Sequence, residues 1–202
     1  GQGVKQDYNK AKQYYERATE LGDSKAMVNL GFLYANGQGF KQDYNKAKQY
    51  YERAIELGDS KAMFSLGALY ANGRGVKQDY NKAKEYYERA AELGNSNAMF
   101  SLGLIYENGQ GVKQDYNKAK QYYERAIELG DSDSMVNLGF LYINGQGVKQ
   151  DYNKAKEYFE RAIELGDSNA IFNLGLLYTN GQGVKQDYNK AKEYYERAIE
   201  LG

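Results

Sequence analysis

The chain contains no cysteine, histidine, proline or tryptophan among its 202 residues. Without cysteine it can form neither a disulfide bond nor a thiolate metal site, and without histidine it lacks the commonest metal ligand and the usual base at neutral pH. Basic and acidic residues number 27 each, so the chain lacks the broad positive charge of a nucleic-acid-binding protein. We therefore expect no metal site, no cofactor and no nucleic-acid partner.

Long apolar runs are missing too. No segment approaches the roughly 20 apolar residues that a membrane-spanning helix needs, and the first residues do not resemble a signal peptide. We expect a soluble protein with no membrane insertion. Its compartment stays open, because a chain without cysteine is compatible with several redox environments.

What the sequence does contain is a repeat of fixed period. The same apolar position recurs every 36 residues, as Val4, Phe40, Val76, Val112, Val148 and Val184. Such a period is typical of a solenoid, in which each repeat buries its apolar face against its neighbours. It divides the chain into a half-repeat, 1–22, and five repeats of one solenoid domain, 23–58, 59–94, 95–130, 131–166 and 167–202.

Each repeat predicts two helices. One second helix starts at Asp43, which is suited to accept hydrogen bonds from the amides of the first turn, and ends at Gly58. The first helix that follows has Asp59 at its start, Gly67 in its middle and Gly73 at its end. A glycine inside a helix costs on the order of 1 kcal/mol relative to alanine, so its recurrence predicts close approach of a neighbouring helix. The whole chain is predicted to form eleven helices.

The repeated residues carry a family resemblance. The pattern A-M-x-x-L-G-x-L-Y-x-N-G-x-G-V-x-x-D-Y-x-K-A-x-x-Y-Y-x-x-A-x-x-L-G resembles the Sel1-like repeat, a relative of the tetratricopeptide repeat, over the whole chain. The resemblance implies an all-α fold, an α/α right-handed superhelical solenoid of helix-turn-helix repeats with the first helices lining its concave side. It also implies scaffold or adaptor work in protein complexes, without catalysis by the repeats. The disulfide-rich bacterial branch of the family is disfavoured, since cysteine is absent.

The copies differ from one another mainly in five columns of the first helix, spaced 3, 1, 3 and 3 residues apart. This spacing places the columns on one stripe about 120° wide, and the resemblance independently places that stripe on the concave side. We call it the first-helix stripe. The predicted groove residues on it are Lys25, Val28, Asn29, Phe32, Lys61, Phe64, Ser65, Ala68, Asn97, Phe100, Ser101, Leu104, Glu107, Asp133, Val136, Asn137, Phe140, Ile143, Asn169, Phe172, Asn173, Leu176 and Thr179.

Two interpretations of the first-helix stripe stay open. Its aromatic and branched apolar residues, beside asparagine and serine, suit a groove that binds a helix or an extended segment of a protein partner. Alternatively, the same side chains pack adjacent first helices together, and the differences between copies arose by drift after duplication. Relatives that grip a terminal carboxylate have lysine and asparagine where this chain has Val28 and Phe32, so we do not expect that clamp.

Two motifs could be mistaken for sites of chemistry. The sequence NGQGV is glycine-rich like a phosphate-binding loop, but no Lys-Ser/Thr pair follows it, so it is interpreted as a turn. Glu52 and Glu56 lie one helical turn apart, yet they recur in the copies beside basic residues, which indicates a solvated helix face. We predict no catalytic, cofactor-binding or metal-binding residue and no enzyme activity.

The sequence therefore predicts a protein–protein interaction scaffold or adaptor that binds a peptide or partner protein through the concave groove. One alternative is a consensus-like or engineered repeat array without a natural ligand. Another is the repeat region of a larger protein whose activity lies outside this segment. The chain opens inside a repeat and without methionine, so we expect it to be a part of a longer protein.

Neither end of the chain has the polar capping repeat that closes most solenoids. The first helix carries Tyr8 and Tyr15, and the last carries Tyr188 and Tyr195, as any internal copy would. Both ends are therefore expected to expose apolar surface. A heterologous contact between them would produce end-to-end self-association.

Overall fold

The computed structural model describes residues 7–38 and 41–201, and these residues form eleven α-helices and no strand. The helices are α1 (Tyr8–Glu20), α2 (Ser24–Asn36), α3 (Tyr44–Glu56), α4 (Ser60–Asn72), α5 (Tyr80–Glu92), α6 (Ser96–Asn108), α7 (Tyr116–Glu128), α8 (Ser132–Asn144), α9 (Tyr152–Glu164), α10 (Ser168–Asn180) and α11 (Tyr188–Leu201). Even numbers are the first helices of the repeats and odd numbers the second helices. The predicted all-α fold of paired helices is confirmed.

The helices begin and end at the residues that the sequence predicted. Asp43 precedes α3, and its carboxylate accepts a hydrogen bond from the Lys46 amide at 3.0 Å. Asp59 precedes α4 and accepts from the amides of the second and third residues of that helix. Such caps each stabilise a helix by about 1 kcal/mol. Gly58 and Gly73 then end α3 and α4 with positive φ angles of 79° and 63°, where glycine carries no side-chain penalty.

The glycine-rich loop within each repeat is held by one glutamine. Gln78 Nε2 donates to the Ala71 carbonyl at 2.8 Å and to the Tyr80 hydroxyl at 3.1 Å. Val76, half-buried, packs against the core beneath. The same two bonds recur at Gln42, Gln114, Gln150 and Gln186. The loop therefore fixes the last turn of each first helix, where the final column of the first-helix stripe lies.

The chain divides into two compact units, residues 1–98 and 99–202. In the first unit, α1 packs on α2, α2 on α3, α3 on α4 and α4 on α5. Its core includes Met27, Tyr51, Ala54, Ala62, Leu66 and Leu69. In the second unit, α7 packs on α8, α8 on α9, α9 on α10 and α10 on α11. Its core includes Tyr123, Leu138, Phe159, Leu174 and Leu177. The repeat boundaries given above stay a prediction.

The recurring glycine of each first helix lies against an aromatic ring. A Cβ atom added to Gly67 would lie 2.8 Å from Cδ1 of Tyr87 and 3.2 Å from the Ala83 carbonyl oxygen, both of α5. Gly103 of α6 meets Tyr123 of α7 in the same way. Any larger residue would push the two helices of the repeat apart. The glycine therefore allows the close approach that its recurrence predicted.

A second aromatic contact joins the two helices on another side of the repeat. Tyr70 of α4 and Tyr86 of α5 stack with ring centroids 5.8 Å apart and an interplanar angle of 9°. Lys82 Nζ lies 5.3 Å from the centre of the Tyr70 ring, and the Arg89 guanidinium lies 5.8 Å from that of Tyr86. The repeat thus holds two tyrosine rings between two cations, an arrangement that adds cation–π attraction to the stacking.

The Gly67 contact gives a first prediction. Replacing Gly67 with leucine should lower the free energy of unfolding by about 2–3 kcal/mol, because the new side chain must displace the Tyr87 ring. Urea denaturation followed by circular dichroism measures the change. Ala68→Leu is the matched control, since leucine already occupies the equivalent positions 104 and 176, and it should change stability by less than about 1 kcal/mol. Equal losses in the two variants would contradict the packing argument.

A second prediction comes from a serine in the core. Ser134 is fully buried, and its hydroxyl has no hydrogen-bond partner among the described residues. The other repeats carry alanine at this position. A buried hydroxyl without a partner costs about 1–3 kcal/mol, so Ser134→Ala should raise the free energy of unfolding by about 1 kcal/mol. The half-buried Ser132 is the control, and Ser132→Ala should change it by less than about 0.5 kcal/mol. A Ser134→Ala variant with a lower free energy of unfolding than the wild type would contradict the claim that the buried hydroxyl destabilises the fold.

Candidate protein-binding groove

Each first helix separates its recurring residues from its variable ones. In α4 the buried residues are Ala62, Met63, Leu66, Gly67 and Leu69. Lys61, which belongs to the first-helix stripe, is exposed, and its stripe neighbours Phe64, Ser65 and Ala68 are half-buried. These five recurring residues thus belong to the core, and the variable columns remain accessible to solvent.

The same separation holds along the described chain. The exposed members of the stripe are Lys25, Asn29, Phe32, Lys61 and Asn97 in the first unit, and Asp133, Asn169 and Phe172 in the second. The half-buried members are Val28, Phe64, Ser65 and Ala68 in the first unit, and Phe100, Ser101, Leu104, Glu107, Asn137, Phe140, Ile143, Asn173, Leu176 and Thr179 in the second. Val136 differs from these, because it is only 7% exposed and belongs to the core. It therefore offers little surface to a partner.

The phenylalanines of the stripe contact the second helix of their own repeat. The Phe64 ring lies 5.6 Å from the Tyr87 ring, and the Phe172 ring lies 5.2 Å from the Tyr195 ring. Phe100 and Phe140 make similar contacts with Tyr123 and Phe159. Phe172 nevertheless keeps 49% of its surface exposed. These rings therefore pack on one side and leave apolar surface on the other.

The hydroxyls of second-helix tyrosines, the buried Tyr123 and the half-buried Tyr195, reach polar residues of the stripe. The Tyr123 hydroxyl lies 2.5 Å from Glu107 Oε2, to which it donates, and it accepts a hydrogen bond from Asn137 Nδ2 at 3.2 Å. In the last repeat the Tyr195 hydroxyl lies 2.8 Å from Thr179 Oγ1. The sequence did not predict this polar function of the tyrosine hydroxyls.

Burial raises the pKa of two second-helix tyrosines, Tyr51 and Tyr123. It raises the pKa of Tyr51 to about 12, although a hydrogen bond with Ser65 acts in the opposite direction. Burial also raises the pKa of Tyr123, and the hydrogen bond and negative charge of Glu107 raise it further. Both phenols therefore stay protonated at neutral pH and can donate to the stripe.

One repeat lacks the tyrosine hydroxyl. Phe159 replaces tyrosine there, and Ile143 occupies the column that holds Glu107 and Thr179 in the flanking repeats. In this repeat a ring without a hydroxyl accompanies the apolar Ile143, whereas in the two flanking repeats a tyrosine hydroxyl lies within hydrogen-bonding distance of a polar stripe residue. The chain itself shows that the ring can pack without its hydroxyl.

The two units differ in the charge of their stripes. The first unit contributes Lys25 and Lys61 and no acidic stripe residue, whereas the second contributes Glu107 and Asp133 and no basic one. Burial raises the pKa of the Asp133 carboxyl, and the nearby charges of Asp131 and Asp167 raise it further. The second unit therefore has a stripe of negative formal charge.

We also searched the described residues for a metal site and for clefts outside the stripe. No group of three or more histidine, cysteine, aspartate or glutamate side chains in this part of the chain could hold a metal ion. Open clefts of about 570 to 710 Å³ lie at the starts of α3, α7 and α11, and none of their lining residues belongs to the stripe; polar residues of the loop and first helical turn line each cleft together with tyrosines. We favour the stripe because its residues vary between repeats, whereas the cleft residues recur. Within the described ranges, no helix combines the length and apolarity needed to cross a membrane.

Solved structures provide close matches to this architecture. The Sel1 repeat protein from Oxalobacter formigenes is 35% identical, with a TM-score of 0.86 over 96% of this chain and 81% of that one. A protective antigen of uropathogenic Escherichia coli with an SLR fold is 33% identical, with a TM-score of 0.85 over 97% of this chain. The match covers only 42% of the antigen, so this chain spans less than half of its length. Helicobacter pylori cysteine rich protein B is 36% identical, with a TM-score of 0.51 over 62% of this chain and 90% of that one.

Sequence comparison gives the same relationship. A comparison with curated protein sequences gives no significant match. The Sel1 repeat model matches six consecutive segments, residues 1–23, 24–59, 60–95, 96–131, 132–167 and 168–202. These matches, the paired helices and the two structural neighbours that cover nearly the whole chain lead to one conclusion: the chain belongs to the Sel1 repeat family.

Proposed function

We propose that the chain is a non-enzymatic scaffold that binds a peptide, or an extended segment of a partner protein, through the first-helix stripe. Solenoids of Sel1 repeats are generally protein-interaction scaffolds, which supports the general role. The observation that carries the choice of surface is the separation of residues in each first helix. The recurring alanine, methionine, leucine and glycine positions are buried, and nearly all of the stripe residues, which vary between repeats, are accessible.

The exposed rings are suited to anchor such a partner. Phe32 and Phe172 are 54% and 49% exposed, and covering the exposed half of each ring contributes about 1 kcal/mol, half of the value for a fully exposed phenylalanine. The contact of Phe172 with Tyr195 holds its ring in place before binding, which reduces the entropy that a partner must remove. Asn173 and Asn29 provide donors and acceptors for the partner's peptide groups. Association of copies end to end stays a separate prediction.

A third prediction tests the surface. Random peptides of about 12 residues are selected for binding to the wild-type chain, and their affinities are then measured on two matched double variants. Phe32→Ser with Phe172→Ser removes one exposed ring from the stripe in each unit. Leu57→Ser with Leu165→Ser removes side chains of similar exposure, 56% and 54%, that follow the C-terminal ends of α3 and α9.

The stripe variant should bind the selected peptides at least about tenfold more weakly, which corresponds to the loss of about 1.4 kcal/mol. The leucine variant should change their affinity by less than about twofold. Circular dichroism verifies that both variants remain helical. Equal affinity of the two variants, or a library that yields no binding peptide, would contradict the proposed surface.

A further inference from the structure

Glu107 carries a carboxylate that has no cation beside it among the described residues. Glu107 is the last stripe residue of α6 and is half-buried. The only hydrogen bond to its carboxylate in this part of the chain comes from the Tyr123 hydroxyl. By contrast, Glu124 on the neighbouring helix α7 pairs with Lys120 at 3.5 Å, and the other second helices carry an equivalent lysine–glutamate pair. Glu107 is therefore a half-buried anion without a cationic partner among the described residues.

The carboxylate is held in position from two directions. Gln114 Nε2 donates to the Glu107 backbone carbonyl at 2.7 Å, which fixes the last turn of α6. The Tyr123 hydroxyl holds Oε2, and Asn137 Nδ2 in turn donates to that hydroxyl at 3.2 Å. Because the Tyr123 side chain is fully buried, its hydroxyl cannot follow a moving carboxylate. A group that binds Glu107 therefore meets an acceptor that is already oriented.

The bonding capacity of this carboxylate is largely unused. A carboxylate has about four acceptor positions on its two oxygens, and only one receives a hydrogen bond from the described residues. A half-buried charge without a partner loses part of its hydration and gains little in return. A cation brought by a ligand would restore that balance, and charge-assisted hydrogen bonds of this kind are stronger than neutral ones.

The surroundings favour a cation with an apolar stem. Phe100, whose ring centre lies 6.0 Å from that of Tyr123, is half-buried. Leu104, one helical turn before Glu107, is half-buried too. Lysine and arginine have aliphatic stems that cover apolar surface while their charged ends reach a polar group. The stripe of the second unit contains no basic residue that would repel them.

We propose that Glu107 anchors a basic side chain, lysine or arginine, of the segment bound to the first-helix stripe, and that Tyr123 is the residue that positions it. This inference rests on the proposed function. The equivalent column holds Ala35, Ala71, Ile143 and Thr179 in the other repeats, so only one repeat offers the anion. A charge that only one repeat carries in its column favours one register of a bound partner over the others.

Selection of peptides on two forms of the chain tests the proposal. Random peptides of about 12 residues are selected in parallel on the wild type and on Glu107→Gln, a variant that keeps an oxygen to accept from Tyr123 but removes the charge. Lysine or arginine should be enriched at one position of the wild-type peptides, and this enrichment should be absent with Glu107→Gln. Glu124→Gln is the matched control, because it neutralises a carboxylate of the same unit outside the stripe, and the enrichment should persist.

The affinities of one synthetic peptide and its uncharged analogue then separate the contribution of the peptide's positive charge from that of its apolar stem. Replacing its enriched basic residue by norleucine should weaken binding to the wild type about tenfold and leave binding to Glu107→Gln unchanged. Tyr123→Phe, a change that the natural Phe159 shows the fold to accept, should weaken binding of the basic peptide and leave the norleucine peptide unaffected. A residue that only stabilises the fold would lower both affinities together.

The outcomes distinguish this inference from the proposed function. Peptides that lose affinity in the Phe32→Ser, Phe172→Ser variant but show no basic preference would overturn the role of Glu107 and leave the binding surface intact. Enrichment of lysine or arginine that persists on Glu107→Gln would place the cation elsewhere and overturn it as well. Peptides whose affinity is unchanged by both the Phe32→Ser, Phe172→Ser variant and Glu107→Gln would overturn the proposed function together with the inference.

Discussion

The contact between a mid-helix glycine and an aromatic ring determines the geometry of each repeat. In the third repeat the ring of Tyr123 lies against Gly103, which brings α6 and α7 close enough to share a core. The same contact places the Tyr123 hydroxyl at the first-helix stripe, where it donates a hydrogen bond to Glu107. The Gly103–Tyr123 contact thus packs the two helices together and positions the tyrosine hydroxyl at the stripe. The helix caps and loop bonds refine an arrangement that this contact already requires.

The core and the proposed binding surface are divided between residues of a single helix. In α4, Leu66 and Leu69 recur in every repeat or are replaced by similar residues, and they are buried. Lys61 and Phe64 vary between repeats and stay accessible. Because the buried residues fill the core of the repeat, the outward sides of the accessible residues are free to differ. A regular fold can therefore present a surface that is not regular.

Much of this organisation was predictable because it is local in sequence. The caps at Asp43 and Asp59, the glycine ends and the eleven helices follow from patterns within about 16 residues. The accessible side of the first helix follows from helical periodicity. The burial of Val136 and the meeting of Glu107 with Tyr123 and Asn137 do not, because each depends on side chains of neighbouring helices. A sequence pattern assigns a tyrosine ring to the core, but it does not state which residues surround the outer end of that ring.

The loop glutamine has a consequence for how such a chain changes its length during evolution. Gln78 joins Ala71 and Tyr80 of its own repeat, and the stack of Tyr70 on Tyr86 is likewise complete within that repeat. Recombination that copies or deletes one whole repeat leaves these bonds intact, whereas an insertion within a repeat separates their partners. Adding or removing complete repeats therefore preserves the bonds that hold each loop. Each such step adds or removes one set of stripe residues, so the reach of the surface and its chemistry change together.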